Sequence, residues 1–329
     1  MKNKLSRPIC LALALTLGAS MLLGGCGDKL ASSGEEKKVV MQVGGEDVEY
    51  QEFRYYFMNN KRELYGEDAA LDSEQLDHLM YLVEENIKNR HTLLMLADEY
   101  DVDLSDEEED AIESYVEDYR EGFEDDDAYL DALHEQYITH ELFYDLASES
   151  TLAYSLLDKM EETGVIKADD ASIDEAFKGD DIICIKEIYI YYPNDETREV
   201  SEKRAKEAYE RLMAGESFED LMLEYSSYSP EQVPIEHGYY TMHYDALDEV
   251  WNAAEPLAVG EISSIVESEF GFHIIMRCEK DLEYMNEHRD EIVQNYAQSK
   301  FYEEFYKLYN TLDPEFTDYG SKLDLAGIE

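Results

Sequence analysis

The sequence predicts an α+β protein in which a compact mixed module interrupts a mostly helical domain. Three observations carry this. Residues 46 to about 178 repeat apolar side chains at three- and four-residue steps, the helical period. Residues 181–193, DIICIKEIYIYYP, change to β-branched and aromatic side chains, the composition of a strand. Helical periodicity then resumes after residue 282 and runs through Leu312. With 329 residues the chain has room for about two domains.

The first segment is a targeting signal. Lys2, Lys4 and Arg7 precede the apolar run Ile9 to Leu23, which is too short to rest as a membrane-spanning helix and reads as a secretory signal. It ends in Leu23-Gly24-Gly25-Cys26, which looks like a bacterial lipobox, with Cys26 as the thiol that takes lipid; an ordinary signal peptide with an incidental cysteine is the alternative. Residues 1–25 are thus a lipoprotein signal peptide. The polar stretch over 26–38, GDKLASSGEEKK behind the cysteine, suits a flexible tether.

Residues 39–179 form the helical domain. Val39 to Val43 alternate as a short strand, Gly44-Gly45 is a turn pair, and a helix follows. Asp72-Ser73 precede a long helix with a wide apolar face through Leu76, Leu79, Val83, Ile87 and Leu94. The acidic run DVDLSDEEED over 101–110 is not a calcium loop. Its sixth position is Asp106, where such a loop needs Gly, and its twelfth is Ile112, where it needs a bidentate Glu. Ser105 and Glu108 instead make a capping box for a helix starting near Asp106. Residues 124–162 continue as helix, and Ser172 with Glu175 is a second box that opens a short helix.

The module spans 180–281. After its first strand, SEKRAKEAYERLMAG is a helix stopped by Gly215, and SFEDLMLEYSS is a second, capped by Ser217. An irregular stretch follows, and EISSIVESEFGFHIIMRCEK supplies two strands hinged near Phe270-Gly271. Residues 282–329 then return to pack on the first domain.

Residues 183–280 resemble a parvulin-type peptidyl-prolyl isomerase domain. The resemblance rests on Lys186-Glu187-Ile188-Tyr189-Ile190, on Leu212 to Leu221, on Ala253-Ala254, Leu257 and Gly260-Glu261-Ile262-Ser263, and on Phe270-Gly271-Phe272-His273-Ile274-Ile275. With the lipobox and the flanking helices, the whole chain resembles the PrsA-type lipoprotein foldases and the SurA-type periplasmic chaperones. This implies a SurA-N-like helical domain carrying a four-stranded antiparallel sheet flanked by helices. It also implies rotation about X-Pro bonds, with a barrier of roughly 18–20 kcal/mol, a reaction that calls for no nucleophile, metal or cofactor. Such a site has two histidines on adjacent strands, an Asp or Cys nearby and a Met/Phe pocket. Here His273 matches the second histidine, Glu187 replaces the first, and Tyr228 stands at the Asp/Cys position. The pocket Phe falls at Val250, or at Trp251 in the neighbouring register. Tyr240, Met242, Phe270 and Phe272 are the remaining pocket walls that the resemblance implies. Two readings stay open, a modified working site and a degenerate domain that only binds chains.

Composition narrows the partners. With 79 Asp+Glu against 27 Lys+Arg, a net charge of −52 repels phosphate backbones and anionic headgroups, which argues against nucleic acid and leaves the lipid on Cys26 as the membrane attachment. Unfolded or partly folded exported polypeptides are the expected partners. The 27 tyrosines offer apolar contact with a polar tip, and Tyr55, Tyr56, Tyr144 and Tyr154 are candidates for a client cradle. His78, His91, His134 and His140 share no helical face with other ligands, so no metal site is read. The register that pairs residue 187 with 273 sets Cys184 opposite residue 276, a diagonal too long for a disulfide with Cys278, so buried free thiols are expected. A solute-binding lipoprotein would need alternating βαβ units, which the long helical stretch lacks.

Overall fold

The structure, a computed structural model, describes residues 34–228 and 235–328. The signal, most of the tether and Cys26 lie outside the described residues. The chain divides into two compact units, one running through Glu162 and taking up again at Glu304–Glu329, the other Thr163–Glu303.

In the first unit, β1 (Val39–Val43) leads into β2 (Glu46–Glu49) before the first helix, α1 (Tyr50–Leu64). Strand-to-helix was the expectation; a hairpin intervenes. Gly44 and Gly45 both take positive φ, 61° and 92°, which is what a two-residue hairpin turn demands. On the other edge of β1 lies β7 (Glu315–Phe316), so the C-terminal segment completes a three-stranded sheet. The sheet, α1 and α2 (Ser73–Glu99) enclose a core of Val40, Met41, Phe53, Phe57, Leu79, Val83 and Ile87. A capping box starts α2, in which Asp72 accepts from Gln75 N at 3.0 Å and Gln75 returns the contact at 3.1 Å.

The Ser105–Glu108 box opens α3 (Asp106–Glu121) as read from the sequence. The stretch after it is broken into α4 (Asp126–His134) and α5 (His140–Thr163), where Tyr137 takes a φ of 59°. These three helices share a second core around Ile112, Tyr129, Leu133 and Phe143. Tyr55 and Tyr144 pack against it, and Tyr56 against the first core, so these candidates for a cradle are helix-packing residues.

The second unit opens with α6 (Asp170–Lys178). Its cap is Asp169, not Ser172: Asp169 accepts from Ala171 N and Ser172 N, while the Ser172 hydroxyl donates to the Asp169 carboxylate. Then follow β3 (Ile183–Tyr191), α7 (Asp195–Met213), α8 (Phe218–Tyr225), β4 (Tyr239–Thr241), α9 (Asp248–Ala254), β5 (Val266–Glu267) and β6 (Gly271–Cys278). The sheet is four-stranded and antiparallel, in the order β4-β3-β6-β5. One face packs on α7 and α8 through Ile188, Ile190, Phe272 and Ile274; the other packs on α9 through Ile183, Ile185 and Ile275. The unit is wider than 180–281, because α6, α10 (Leu282–Glu287) and the start of α11 (Arg289–Tyr309) pack round Phe177, Met285, Ile292 and Tyr296.

The register of the central pair differs from the expected one by two residues. Tyr189 faces His273, Glu187 faces Ile275, and Cys184 faces Cys278. The expected pairing came from setting Glu187 opposite His273; the strands instead bring those two together diagonally.

Candidate active site

Along β3 and β6 the odd-numbered residues share one face, so Glu187, Tyr189 and His273 look the same way. A diagonal pair on facing strands lies within reach of long side chains. Glu187 Oε1 lies 2.6 Å from His273 Nδ1, and both residues are at least nine-tenths buried. The second ring nitrogen is also engaged. Ser268, in the turn between β5 and β6, holds its hydroxyl 2.7 Å from Nε2 and accepts from Phe270 N at 3.2 Å. These partners fix the ring's orientation: Nδ1–H donates to the carboxylate, and Nε2 meets the serine hydroxyl. Hydroxyl, imidazole and carboxylate connect as in a nucleophilic triad. Ser268, however, is 4 % exposed and its oxygen is already engaged, so it orients the ring and has no path to a substrate.

An aromatic wall stands beside this chain. The Tyr189 ring stacks on the imidazole at 5.0 Å, Tyr228 lies 5.0 Å from Tyr189, and Tyr239 lies 6.4 Å from Tyr228. Tyr228 is held in place by the segment before it: Ser227 N donates to Tyr189 O at 2.7 Å, and Ser226 Oγ donates to Glu187 O at 3.3 Å. Burial pushes the Tyr228 and Tyr239 hydroxyls up to about 12, and the nearby Glu187 carboxylate adds to this. Both therefore remain protonated donors at neutral pH. The arrangement offers ring faces for an apolar five-membered ring and hydroxyls for a peptide carbonyl.

The remaining site candidates divide by strand parity. Val250 is buried against Ile183, Ile185 and Ile275 on the same face as Glu187, with Trp251 partly buried beside it. Phe270 is 45 % exposed in the turn, and its carbonyl accepts from the Tyr189 hydroxyl at 3.2 Å. Phe272 points to the opposite face, into the core under α7 and α8. Tyr240 pairs with Cys184 and stacks on Tyr284, and Met242 is buried with Ile182 and Met285. These three do not join the Glu187–His273 pair. Because alternate residues face opposite ways, Tyr239 and not Tyr240 shares the face. Sequence reading missed Tyr189, Tyr239 and Ser268. Tyr189 stands two residues from Glu187, a spacing that marks a shared face; Ser268 lies in an irregular turn with no such signal.

Residues 184–279 match the family model for the PPIC-type PPIASE domain, which covers all the residues of this pair and its wall. The module is a parvulin-type peptidyl-prolyl isomerase domain. Residues 1–157 match a SurA-like N-terminal domain. The chain is similar to the foldase protein PrsA of Halalkalibacterium halodurans, 29% identical over 276 residues that make up 82% of this chain and 72% of that one. It is also similar to the foldase protein PrsA of Bacillus subtilis, 32% identical over 133 residues, 40% of this chain and 42% of that one. Among solved structures, the peptidylprolyl isomerase PrsA of Bacillus anthracis aligns with 19% identity and a TM-score of 0.37 over 68% of this chain and 94% of that chain. A PpiC-type isomerase domain aligns with 24% identity and a TM-score of 0.28 over 30% and 91%. Among the described residues of this isomerase-bearing chain, no helix is long and apolar enough to cross a membrane.

Proposed function

We propose that this chain is a lipid-anchored foldase on the outer side of the cytoplasmic membrane, isomerising X-Pro bonds in exported polypeptides through the face that carries Glu187 and His273. The observation that carries this reading is the buried Glu187–His273–Ser268 chain beneath the Tyr189–Tyr228–Tyr239 wall. A proline ring held against those aromatic faces leaves water, and a tyrosine hydroxyl steadies the neighbouring carbonyl while the amide loses resonance. The buried pair provides a rigid floor and takes no proton from the substrate. The lipid on Cys26 supplies anchoring that the acidic body cannot.

The test is exchange NMR of cis/trans interconversion on X-Pro peptides with the chain lacking residues 1–26, varying the residue before proline. Acceleration should fall at least tenfold in His273→Ala and less in Glu187→Gln, which keeps a hydrogen-bond acceptor at Nδ1. Equal loss in both, or none in either, would sink the site assignment. A second reading, a holdase that binds chains without turning them over, draws on the carboxylate at position 187 where the family has histidine. It predicts no acceleration on any peptide by a folded chain that still suppresses aggregation of an unfolded client. Anchoring is checked separately: Cys26→Ser should move the protein from the membrane to the soluble fraction.

A further inference from the structure

Cys184 and Cys278 stand directly opposite one another on β3 and β6, the register that the site itself imposes. On the outer side of β6, Ser263 N donates to Ile275 O and Arg277 N donates to Glu261 O, so residues 274, 276 and 278 turn their peptide groups toward β3. Cys184–Cys278 is therefore a hydrogen-bonded pair, for which the Cα separation is about 5.5 Å, inside the roughly 4.4–6.8 Å that a disulfide spans. Facing residues project to the same side of the sheet, so both thiols lie on one face. Cys184 is fully buried and donates to His237 O at 3.1 Å. Cys278 is partly exposed and lines a surface cavity of about 380 Å³ with Lys178, Arg277 and Lys280. Both are free thiols in the structure.

We infer that Cys184 and Cys278 form a reversible cross-strand disulfide, made by exchange with a small external disulfide that enters through the cavity beside Cys278. The Cys278 thiolate attacks one sulfur of the external disulfide and releases its partner as a thiolate. That thiolate takes the Cys184 proton; Cys184 then attacks the Cys278 sulfur and expels the second external thiolate, which picks up the proton lost from Cys278. Two protein thiols and one disulfide become one protein disulfide and two small thiols, the electron pair passing to the external sulfurs. The bond closes a loop from β3 to β6 that contains α7, α8, β4, α9 and β5. It also stitches together the two strands that carry Glu187 and His273. Outside the reducing cytosol the oxidised form should persist.

Full-length protein isolated without reductant, acid-quenched, alkylated with iodoacetamide and digested should yield one linked peptide pair containing Cys184 and Cys278, about 2 Da lighter than the two free-thiol peptides together. Across graded mixtures of reduced and oxidised glutathione, the two thiols should become alkylatable together in one two-electron step. Complete alkylation of both in excess oxidised glutathione, or Cys278 carrying glutathione while Cys184 stays free, overturns the inference. Thermal melts give a second readout that leaves catalysis aside. Wild-type protein should melt on the order of 10 °C higher oxidised than reduced, and Cys278→Ser should show no such difference. A wild-type midpoint unmoved by oxidation, or a shift of the same size in Cys278→Ser, counts against the bond.

Discussion

At the scale of single residues, the face that carries Glu187 and His273 is organised by one imidazole with a partner on each nitrogen. The Glu187 carboxylate takes Nδ1, and Ser268 takes Nε2 while Phe270 N–H holds the serine oxygen. Removing the hydroxyl leaves Nε2 buried without a partner, which costs roughly 1–3 kcal/mol. Ser268→Ala should therefore destabilise the chain by about that amount in urea titrations and lower isomerase turnover severalfold by letting the ring tilt under Tyr189. Wild-type values in both measurements would show that Ser268 does not orient the ring. The tyrosines beside it act as fixed donors, since hydroxyls pushed up to about 12 stay protonated through the physiological range.

At the scale of elements, helix ends and strand parity set the positions of the side chains. Capping boxes on α2 and α3 satisfy backbone N–H groups that a bare end would leave open. Asp72→Ala removes one acceptor from a 27-residue helix whose Leu79, Val83 and Ile87 line the core. It should cost about 1 kcal/mol in urea denaturation, and Asp72→Ser should recover most of it. Capping could be read from Ser105, Glu108 and Ser217 because the partners lie three residues apart. At Ser172 the box does not form, because the helix starts three residues earlier, where Asp169 accepts from Ala171 N and Ser172 N. Breaks in helical runs were the harder feature. Tyr137 sits in the left-handed region between α4 and α5, and nothing in its residue type announces that.

For the whole molecule, the excess of acid has one internal consequence that pH can read. Arg90 is buried in the first unit and serves three carboxylates: Glu52 at 2.7 Å, Glu149 at 2.5 Å and Asp145 at 3.8 Å. Burial raises the Glu149 carboxyl to about 7, and the shared guanidinium only partly opposes this. A carboxyl raised in the folded state contributes stability that is complete below its unfolded value near 4.5 and is lost as pH climbs through 7. Between pH 5 and pH 8 the chain should lose on the order of 2–3 kcal/mol from this group in urea titrations. Glu149→Gln should remove that part of the slope and make the variant more stable than wild type at pH 8. An unchanged slope would place the pH dependence elsewhere among the acids.

The sequence by itself determined the fold class, most of the helices and the placing of His273 on the last strand of the module, though not the β2 and β4 strands. Those rest on short-range signals: a period of 3.6 or 2, a cap three residues from its partner, a run of spaced matches along one module. Only the tertiary structure decided the register of β3 against β6, and with it the diagonal Glu187–His273 contact, the exclusion of Tyr240 and Phe272 from the face, and the facing of Cys184 with Cys278. A slip of two residues preserves every alternation pattern along a strand, so no local reading distinguishes the two registers. What distinguishes them is packing at a distance: the cores under α7, α8 and α9, and the Ser226–Ser227 contacts at the open edge of β3.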